Sequence, residues 1–176
     1  MMKYVLTTLL IFGVSLLALA QASFDVDENK PVVLNGIEYG FAIRNESKKD
    51  VGGKGSFGRY EVTVYATNKS GCTKLLLPKQ TLFGQQDQDL LAQFDCVNAT
   101  GMRLTSKSGN VRAPEFYVPY STSTKNAEGK TVTNTIQVKA GNILHSGETV
   151  STNFIVIVPE NEMPRMKVRV REFLEQ

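Results

Sequence analysis

The chain has 176 residues, of which 41% are hydrophobic, and a formal net charge of +3 at neutral pH. This length suits one domain with a substantial core. The charge is too small to imply nucleic acid or an anionic membrane as an obligate partner.

The first 22 residues predict a signal peptide. Lys3 gives a short positive region, residues 5–19 form an apolar stretch, and Ala20 and Ala22 fit the small pockets of a signal peptidase. We expect cleavage after Ala22 and export to the periplasm or the cell exterior, with residues 23–176 as the mature domain. An uncleaved anchor is the alternative, because the apolar stretch nearly reaches across about 30 Å of hydrocarbon. No later stretch is apolar enough to span a membrane.

Alternating apolar and polar residues predict β-strands along the mature chain, since successive side chains of a strand point to opposite sides. The clearest segments are 37–44, 60–67, 131–139 and 166–171, and each is expected to turn one face inward. Residues 154–158 are continuously apolar and predict a central strand covered on both sides. Turn residues recur at intervals near ten, which favours an all-β sandwich or barrel with eight or nine strands.

Three segments fit this pattern less clearly. Residues 85–94 predict either one or two helical turns or a loop followed by a strand. Residues 48–58 contain four glycines and predict a mobile hairpin loop. The polar residues 121–130 predict a second surface loop.

Cys72 and Cys96 both follow the predicted signal peptide, so they would meet a compartment that permits oxidation. A bond between them would close a loop of about 25 residues and stabilise the fold by on the order of 3 kcal/mol. Two free thiols are the alternative, although a redox pair usually has the C-x-x-C spacing that is missing from this sequence. We therefore predict a structural disulfide.

Residues 53–58 spell G-x-G-x-x-G and resemble the glycine-rich loop of protein kinases, with Phe57 at a position that is often aromatic there. Tyr60 stands where those enzymes carry valine, and none of the other kinase motifs follows. The next segment is a predicted strand, which excludes a dinucleotide-binding helix. We attribute the match to chance.

Few residues suggest catalysis or metal binding. His145 is the only histidine, and it lies beside a turn without a nucleophile motif. Asp87, Asp89 and Asp95 could in principle contact Ca²⁺, but the glycine and distal glutamate of an EF-hand loop are missing. We predict no catalytic residue, no metal site and no cofactor.

Phe116, Tyr117 and Tyr120 are the best candidates for a contact surface. They offer flat apolar rings suited to a protein or a glycan, although alternation would also place Phe116 in the core. A separate row of cations at Lys167, Arg169 and Arg171 predicts protection of a sheet edge or, alternatively, an anionic partner.

Residues 60–71 run from an apolar strand into Asn-Lys-Ser-Gly, and they resemble a strand and turn common in bacterial extracytoplasmic immunoglobulin-like domains. Residues 147–159 look like a late strand pair of the same kind. The resemblance implies an immunoglobulin-like antiparallel sandwich in the cell envelope and carries no functional residues across. The chain departs from antibody domains, because its cysteines are only 24 positions apart with no tryptophan between them.

These observations predict a secreted, non-catalytic binding or accessory protein of the bacterial cell envelope, whose partner is another envelope protein or a glycan. One alternative is a hydrolase of an envelope polymer that uses His145 or the aspartates. A second alternative is a structural subunit that self-assembles through exposed strand edges.

Overall fold

The computed structural model describes residues 22–50, 56–78, 89–104, 107–160, 162–171 and 173–174. Residues 1–21 of the predicted signal peptide, Asp87 and the centre of the glycine-rich loop therefore lie outside the described residues. Across the described ranges the chain forms β-strands and no helix, and so no helix that could cross a membrane. The all-β prediction is confirmed.

Twelve strands are present in these ranges, more than the eight or nine expected. The additional strands are short, at two to four residues each, and alternation is not recognisable in so few positions. The strands are β1 (Ser23–Val26), β2 (Val32–Leu34), β3 (Ile37–Asp50), β4 (Ser56–Asn68), β5 (Lys74–Pro78), β6 (Leu90–Val97), β7 (Gly109–Arg112), β8 (Glu115–Lys125), β9 (Thr131–Leu144), β10 (Thr149–Pro159), β11 (Arg165–Val170) and β12 (Phe173–Leu174).

The strands form three four-stranded antiparallel sheets. The first has the order β1-β11-β6-β7, the second β10-β4-β3-β2 and the third β12-β5-β9-β8. Of the segment 85–94, the residues from Leu90 onward belong to β6, so the strand interpretation is correct there and the helical one is wrong.

The first and second sheets pack face to face around the core. The Cα of Gly109 in β7 lies so close to β4 and β10 that an added Cβ would be 2.6 Å from the Phe154 ring and 2.8 Å from Val64. Glycine allows this approach because it has no side chain. The largest fully buried side chains are Tyr39, Phe41, Phe94, Leu91, Leu144 and Met166.

The cationic row does not lie at a sheet edge, so that prediction is wrong. Strand β11 pairs with β1 on one side and with β6 on the other. Met166, Val168 and Val170 are buried, and the cations alternate with them on the outer face. Alternation identifies the two faces of a strand but does not say how many neighbours the strand has.

Strand β10 was expected to be a central strand, and that prediction is wrong as well. It pairs only with β4 and forms the edge of its sheet among the described residues. Val156 and Val158 are buried, whereas Ile155 and Ile157 are about half exposed. The continuous apolar run thus covers the core with one face only.

Asn68, the last residue of β4, connects the second sheet to the third. Its fully buried side chain donates hydrogen bonds to the carbonyl oxygens of Cys72 (2.8 Å) and Leu144 (2.9 Å). Its Oδ1 accepts hydrogen bonds from the backbone N–H and the hydroxyl of Ser70. Because Leu144 ends β9, these bonds fix the base of that strand to the sandwich.

Candidate functional site

Strands β8 and β9 form a long hairpin. They pair continuously from Glu115–Asn142 to Lys125–Thr131, with one register shift between Phe116 and Tyr117. Eleven paired residues span about 36 Å at about 3.3 Å per residue. The predicted loop 121–130 is therefore wrong in its first half, because residues 121–125 continue the strand.

A tight turn closes the hairpin at its far end. The backbone N–H of Asn126 donates to the carbonyl of Lys130, and Oδ1 of Asn126 accepts from the N–H groups of Glu128 and Lys130. Gly129 has a φ of 78°, in the left-handed region that favours glycine. These contacts fix which residues of the two strands lie opposite each other.

Beyond its base the hairpin is exposed on both faces, so the expectation that residues 131–139 turn one face inward is wrong. Tyr120 is 56% exposed and Ile136 52%, and Val132 and Val138 are also exposed. Alternation divides the side chains between two faces, but among the described residues no other element covers either of them.

The two faces of the hairpin differ in chemistry. One face carries Val118, Tyr120, Val132, Ile136 and Val138, and we call these residues the apolar face. The opposite face carries two hydroxyl pairs across the strands, Ser121–Thr135 at 2.8 Å and Ser123–Thr133 at 3.1 Å.

The three predicted contact residues all lie in β8, but not on one surface. Tyr117 and Tyr120 are both exposed, and because they are three positions apart they point to opposite faces. Phe116 is half-buried on the same side as Tyr120. The structure therefore separates the two tyrosines that were expected to form one contact surface.

Tyr117 belongs to a charged cluster at the base of the hairpin. Its hydroxyl donates to Glu115, which also accepts a hydrogen bond from Lys139 at 2.7 Å. The hydrogen bond from Lys139, and then the one from Tyr117, lower the pKa of Glu115, while the same carboxylate raises the pKa of Tyr117.

Charge is confined to the two ends of the hairpin. Residues 116–124 and 131–138 contain no Asp, Glu, Lys or Arg. Sequence analysis identified the aromatic residues of β8 but missed Val132, Ile136 and Val138 of β9. The absence of charge over both strands was the signal that could have pointed to them.

The predicted disulfide is not formed. Cys72 is an exposed free thiol, and Cys96 is a buried one. Burial raises the pKa of Cys96 to about 11. A disulfide requires Cα atoms about 4.4–6.8 Å apart, and the strand register places the two cysteines much farther apart than that.

The register shows where each cysteine lies. Phe94 pairs with Gly109, which packs against Val64, so Phe94 lies near the middle of β4. Cys96 lies two residues farther toward the start of β4, whereas Cys72 lies beyond the last residue of β4. The separation along the strands is roughly 20 Å at about 3.3 Å per residue.

The described residues that were considered for catalysis or metal binding, His145, Asp89 and Asp95, are not brought together. Nδ1 of His145 lies 3.4 Å from the hydroxyl of Thr73. Asp89 forms an ion pair with Arg112 at 2.6 Å, whereas Asp95 is buried and forms ion pairs with Arg103 and Arg169. Within the part of the chain that the structure describes, no group of three His, Cys, Asp or Glu side chains could hold a metal ion.

The end of the G-x-G-x-x-G segment can be described from Ser56 onward. Ser56, Phe57 and Gly58 are the first residues of β4, so the expectation that a strand follows this segment is confirmed. The predicted loop 48–58 is wrong at both ends, because β3 continues to Asp50 and pairs there with the first residues of β4.

Comparison of the chain with protein-family models, curated proteins and solved structures gave no match. The functional argument therefore depends on the geometry of the hairpin.

Proposed function

We propose that the protein is a non-catalytic binding or accessory protein of the bacterial cell envelope, and that it holds a polypeptide partner along the β8–β9 hairpin. The observation that carries this proposal is a hairpin about 36 Å long that carries no charge between its two ends, and whose apolar side chains are exposed although it is anchored in a well-packed domain. Contiguous exposed apolar surface on a soluble domain commonly marks an interaction site.

A polypeptide suits this hairpin better than a glycan does. The outer edges of β8 and β9 offer backbone N–H and C=O groups to which an extended segment can add as a further strand. Stacking of sugar rings would require exposed aromatic side chains on one surface, whereas the two exposed rings, Tyr117 and Tyr120, lie on opposite faces and Phe116 beside Tyr120 is half-buried.

The cellular location and the finer fold are part of the same proposal. The N-terminal apolar stretch that ends in Ala20 and Ala22 supports export. The two segments that resemble immunoglobulin-like domains lie mainly in β4 and β10, which pair with each other in one of the two facing sheets. This arrangement supports an immunoglobulin-like sandwich.

A hydrolase has less support. His145 contacts Thr73, and Asp89 and Asp95 each form ion pairs with arginine. The Thr73 hydroxyl and His145 are within reach of each other, but a catalytic pair also needs a third group that orients the base, and among the described residues no side chain bonds the other ring nitrogen of His145.

The proposal can be tested by shortening the hairpin. Replacing residues 119–137 with an Asn-Gly turn joins Val118 to Val138, and such a turn suits a two-residue hairpin. The matched control changes Ile155 and Ile157 to threonine, which removes exposed apolar groups on β10 and leaves the hairpin intact.

Wild type, control and shortened protein would be immobilised and incubated with envelope extract, and captured proteins quantified by mass spectrometry. We expect the same proteins on wild type and control and at least a tenfold loss on the shortened variant, with circular dichroism confirming that all three are folded. Equal capture by the shortened variant, or no specific capture by wild type, would refute the proposal.

A further inference from the structure

The outer edge of β9 is open over most of its length as far as the structure describes the chain. Among the described residues, β9 pairs with β8 on one side from Thr131 onward, but with β5 on the other side only at Asn142, Ile143 and Leu144. The stretch from Thr131 to Lys139 therefore has one neighbouring strand there and not two.

The ladder shows which backbone groups point out from this edge. The bond from the N–H of Asn126 to the carbonyl of Lys130 makes these two a hydrogen-bonded pair. Hydrogen-bonded and non-hydrogen-bonded pairs alternate along an antiparallel ladder. Pro119–Gln137 and Ser121–Thr135 are therefore non-hydrogen-bonded pairs, whose own backbone groups point outward.

Cross-strand side chains agree with this assignment. Side chains are closer together in non-hydrogen-bonded pairs, and the two hydroxyl pairs, Ser121–Thr135 and Ser123–Thr133, fall at such positions. On β9 the outward-pointing groups consequently belong to the odd-numbered residues from 131 to 139.

The two edges of the hairpin differ in their protection. On β8 the ring nitrogen of Pro119 points outward and cannot donate a hydrogen bond, which interrupts that edge. On β9 residues 131–138 contain neither proline nor charge. Native proteins usually protect an exposed edge with one of these, so β9 is the edge that remains able to accept a strand.

We propose that this edge pairs with the same edge of a second copy of the protein, antiparallel about a two-fold axis at Thr135. This identifies the partner of the hairpin and rests on the proposed function, in which the hairpin is the contact element. In this register Thr131 pairs with Lys139 of the other copy, Thr133 with Gln137 of the other copy, and Thr135 with Thr135 of the other copy.

The side chains of two β9 strands are compatible with each other in this register. On the apolar face Val132 meets Val138, and Asn134 meets Ile136, so no like charges oppose each other. A two-fold axis uses the same surface on both copies, as most homodimers do. Pairing also turns an exposed two-stranded hairpin, which is marginal in water, into a four-stranded sheet.

The size of the interface indicates a weak dimer. Nine paired residues extend over about 30 Å, and a strip about 10 Å wide covers roughly 300 Å² per copy, against about 800 Å² in a standard stable interface. We therefore expect a dissociation constant in the micromolar range or weaker, and association that depends on protein concentration.

The test uses proline at two equivalent positions. Thr135→Pro removes an outward N–H at the proposed axis, whereas Ser121→Pro removes the outward N–H directly across the ladder, on the β8 edge. Neither N–H bonds within the hairpin, so the intramolecular ladder keeps its backbone hydrogen bonds in both variants, and both variants lose the Ser121–Thr135 hydroxyl bond alike.

Sedimentation of the purified protein from about 10 μM to about 1 mM would measure the dissociation constant. We expect wild type and Ser121→Pro to dimerise alike, and Thr135→Pro to weaken the dimer at least tenfold. A second variant, Thr133→Lys with Gln137→Lys, should give the same loss by opposing like charges, and it covers the case in which proline disturbs the strand.

A wild type that stays monomeric overturns the proposal, and so does undiminished dimerisation of the lysine variant. Loss of the dimer in Ser121→Pro alone would show that the β8 edge is used, and would overturn it as well. A monomeric protein whose hairpin still captures envelope proteins would leave the proposed function standing, whereas a dimer without such capture would refute that function alone.

Discussion

Changing Asn68 to aspartate should destabilise the domain severely. The side chain of Asn68 is fully buried, and its Nδ2 donates to the carbonyl oxygens of Cys72 and Leu144. Aspartate has nearly the same shape, but it places an oxygen where the amide nitrogen was. The carbonyl oxygens of buried Leu144 and exposed Cys72 would then face an acceptor, while the two bonds from Ser70 remain available.

The magnitude follows from the groups left unpaired. Each buried polar group that loses its partner costs about 1–3 kcal/mol. Only the Leu144 carbonyl is buried, because Cys72 is exposed and its carbonyl also accepts from the Ser70 hydroxyl at 3.2 Å. We therefore expect Asn68→Asp to lower the free energy of unfolding by about 2–3 kcal/mol. Since domains are stable by about 5–15 kcal/mol, this is a large fraction of the total.

Asn126→Asp is the matched control. Only Oδ1 of Asn126 bonds in the hairpin turn, where it accepts from two N–H groups, and the residue is exposed. Aspartate keeps that acceptor, so the change should stay within about 0.5 kcal/mol. Urea unfolding followed by circular dichroism gives both values. A loss below about 1 kcal/mol in Asn68→Asp, or equal losses in the two variants, would refute the reasoning.

Two further predictions concern the core and the thiols. Gly109→Ala should cost about 1–3 kcal/mol, because the new Cβ would overlap the Phe154 ring and Val64; an unchanged urea midpoint would contradict the close approach of the sheets. At pH 8 Ellman's reagent should titrate one thiol per folded chain, the exposed Cys72, because burial raises the pKa of Cys96 to about 11 and keeps it protonated. Both thiols should react in urea, and the absence of any thiol in unreduced, unfolded protein would show that a disulfide forms after all.

Much of the fold could be predicted from the sequence because alternate residues of a strand lie on its two opposite faces, so a buried face appears as an alternating pattern. Met166, Val168 and Val170 alternate with cations and lie in the core as that rule requires. What alternation does not contain is the number of neighbouring strands. The row of cations at Lys167 therefore predicts an edge strand, although β11 is a central strand. The apolar run of β10 predicts a central strand, although β10 is an edge strand among the described residues.

The hairpin and the cysteines show a second limit, which is set by contacts distant in sequence. Residues 131–139 alternate as well as any strand of the core, yet nothing among the described residues covers them, and Ile136 is 52% exposed. Cys72 and Cys96 are close enough along the chain to suggest a bond. However, β6 pairs with β7, which packs against β4, and this arrangement places Cys96 toward the start of β4 and Cys72 beyond its end.

The base of the hairpin explains how an uncovered pair of strands can still present a defined edge. Nδ2 of Asn142 donates to the carbonyl of Ala113, and the N–H of Ile143 donates to the carbonyl of Pro114. Asn68 fixes Leu144 one residue farther along β9. A strand held at its base by three successive residues leaves the sandwich in a fixed direction, so less conformational freedom is lost when a second strand pairs with it. For that reason Asn68→Asp should weaken association of the protein as well as its stability, although Asn68 lies outside the proposed interface.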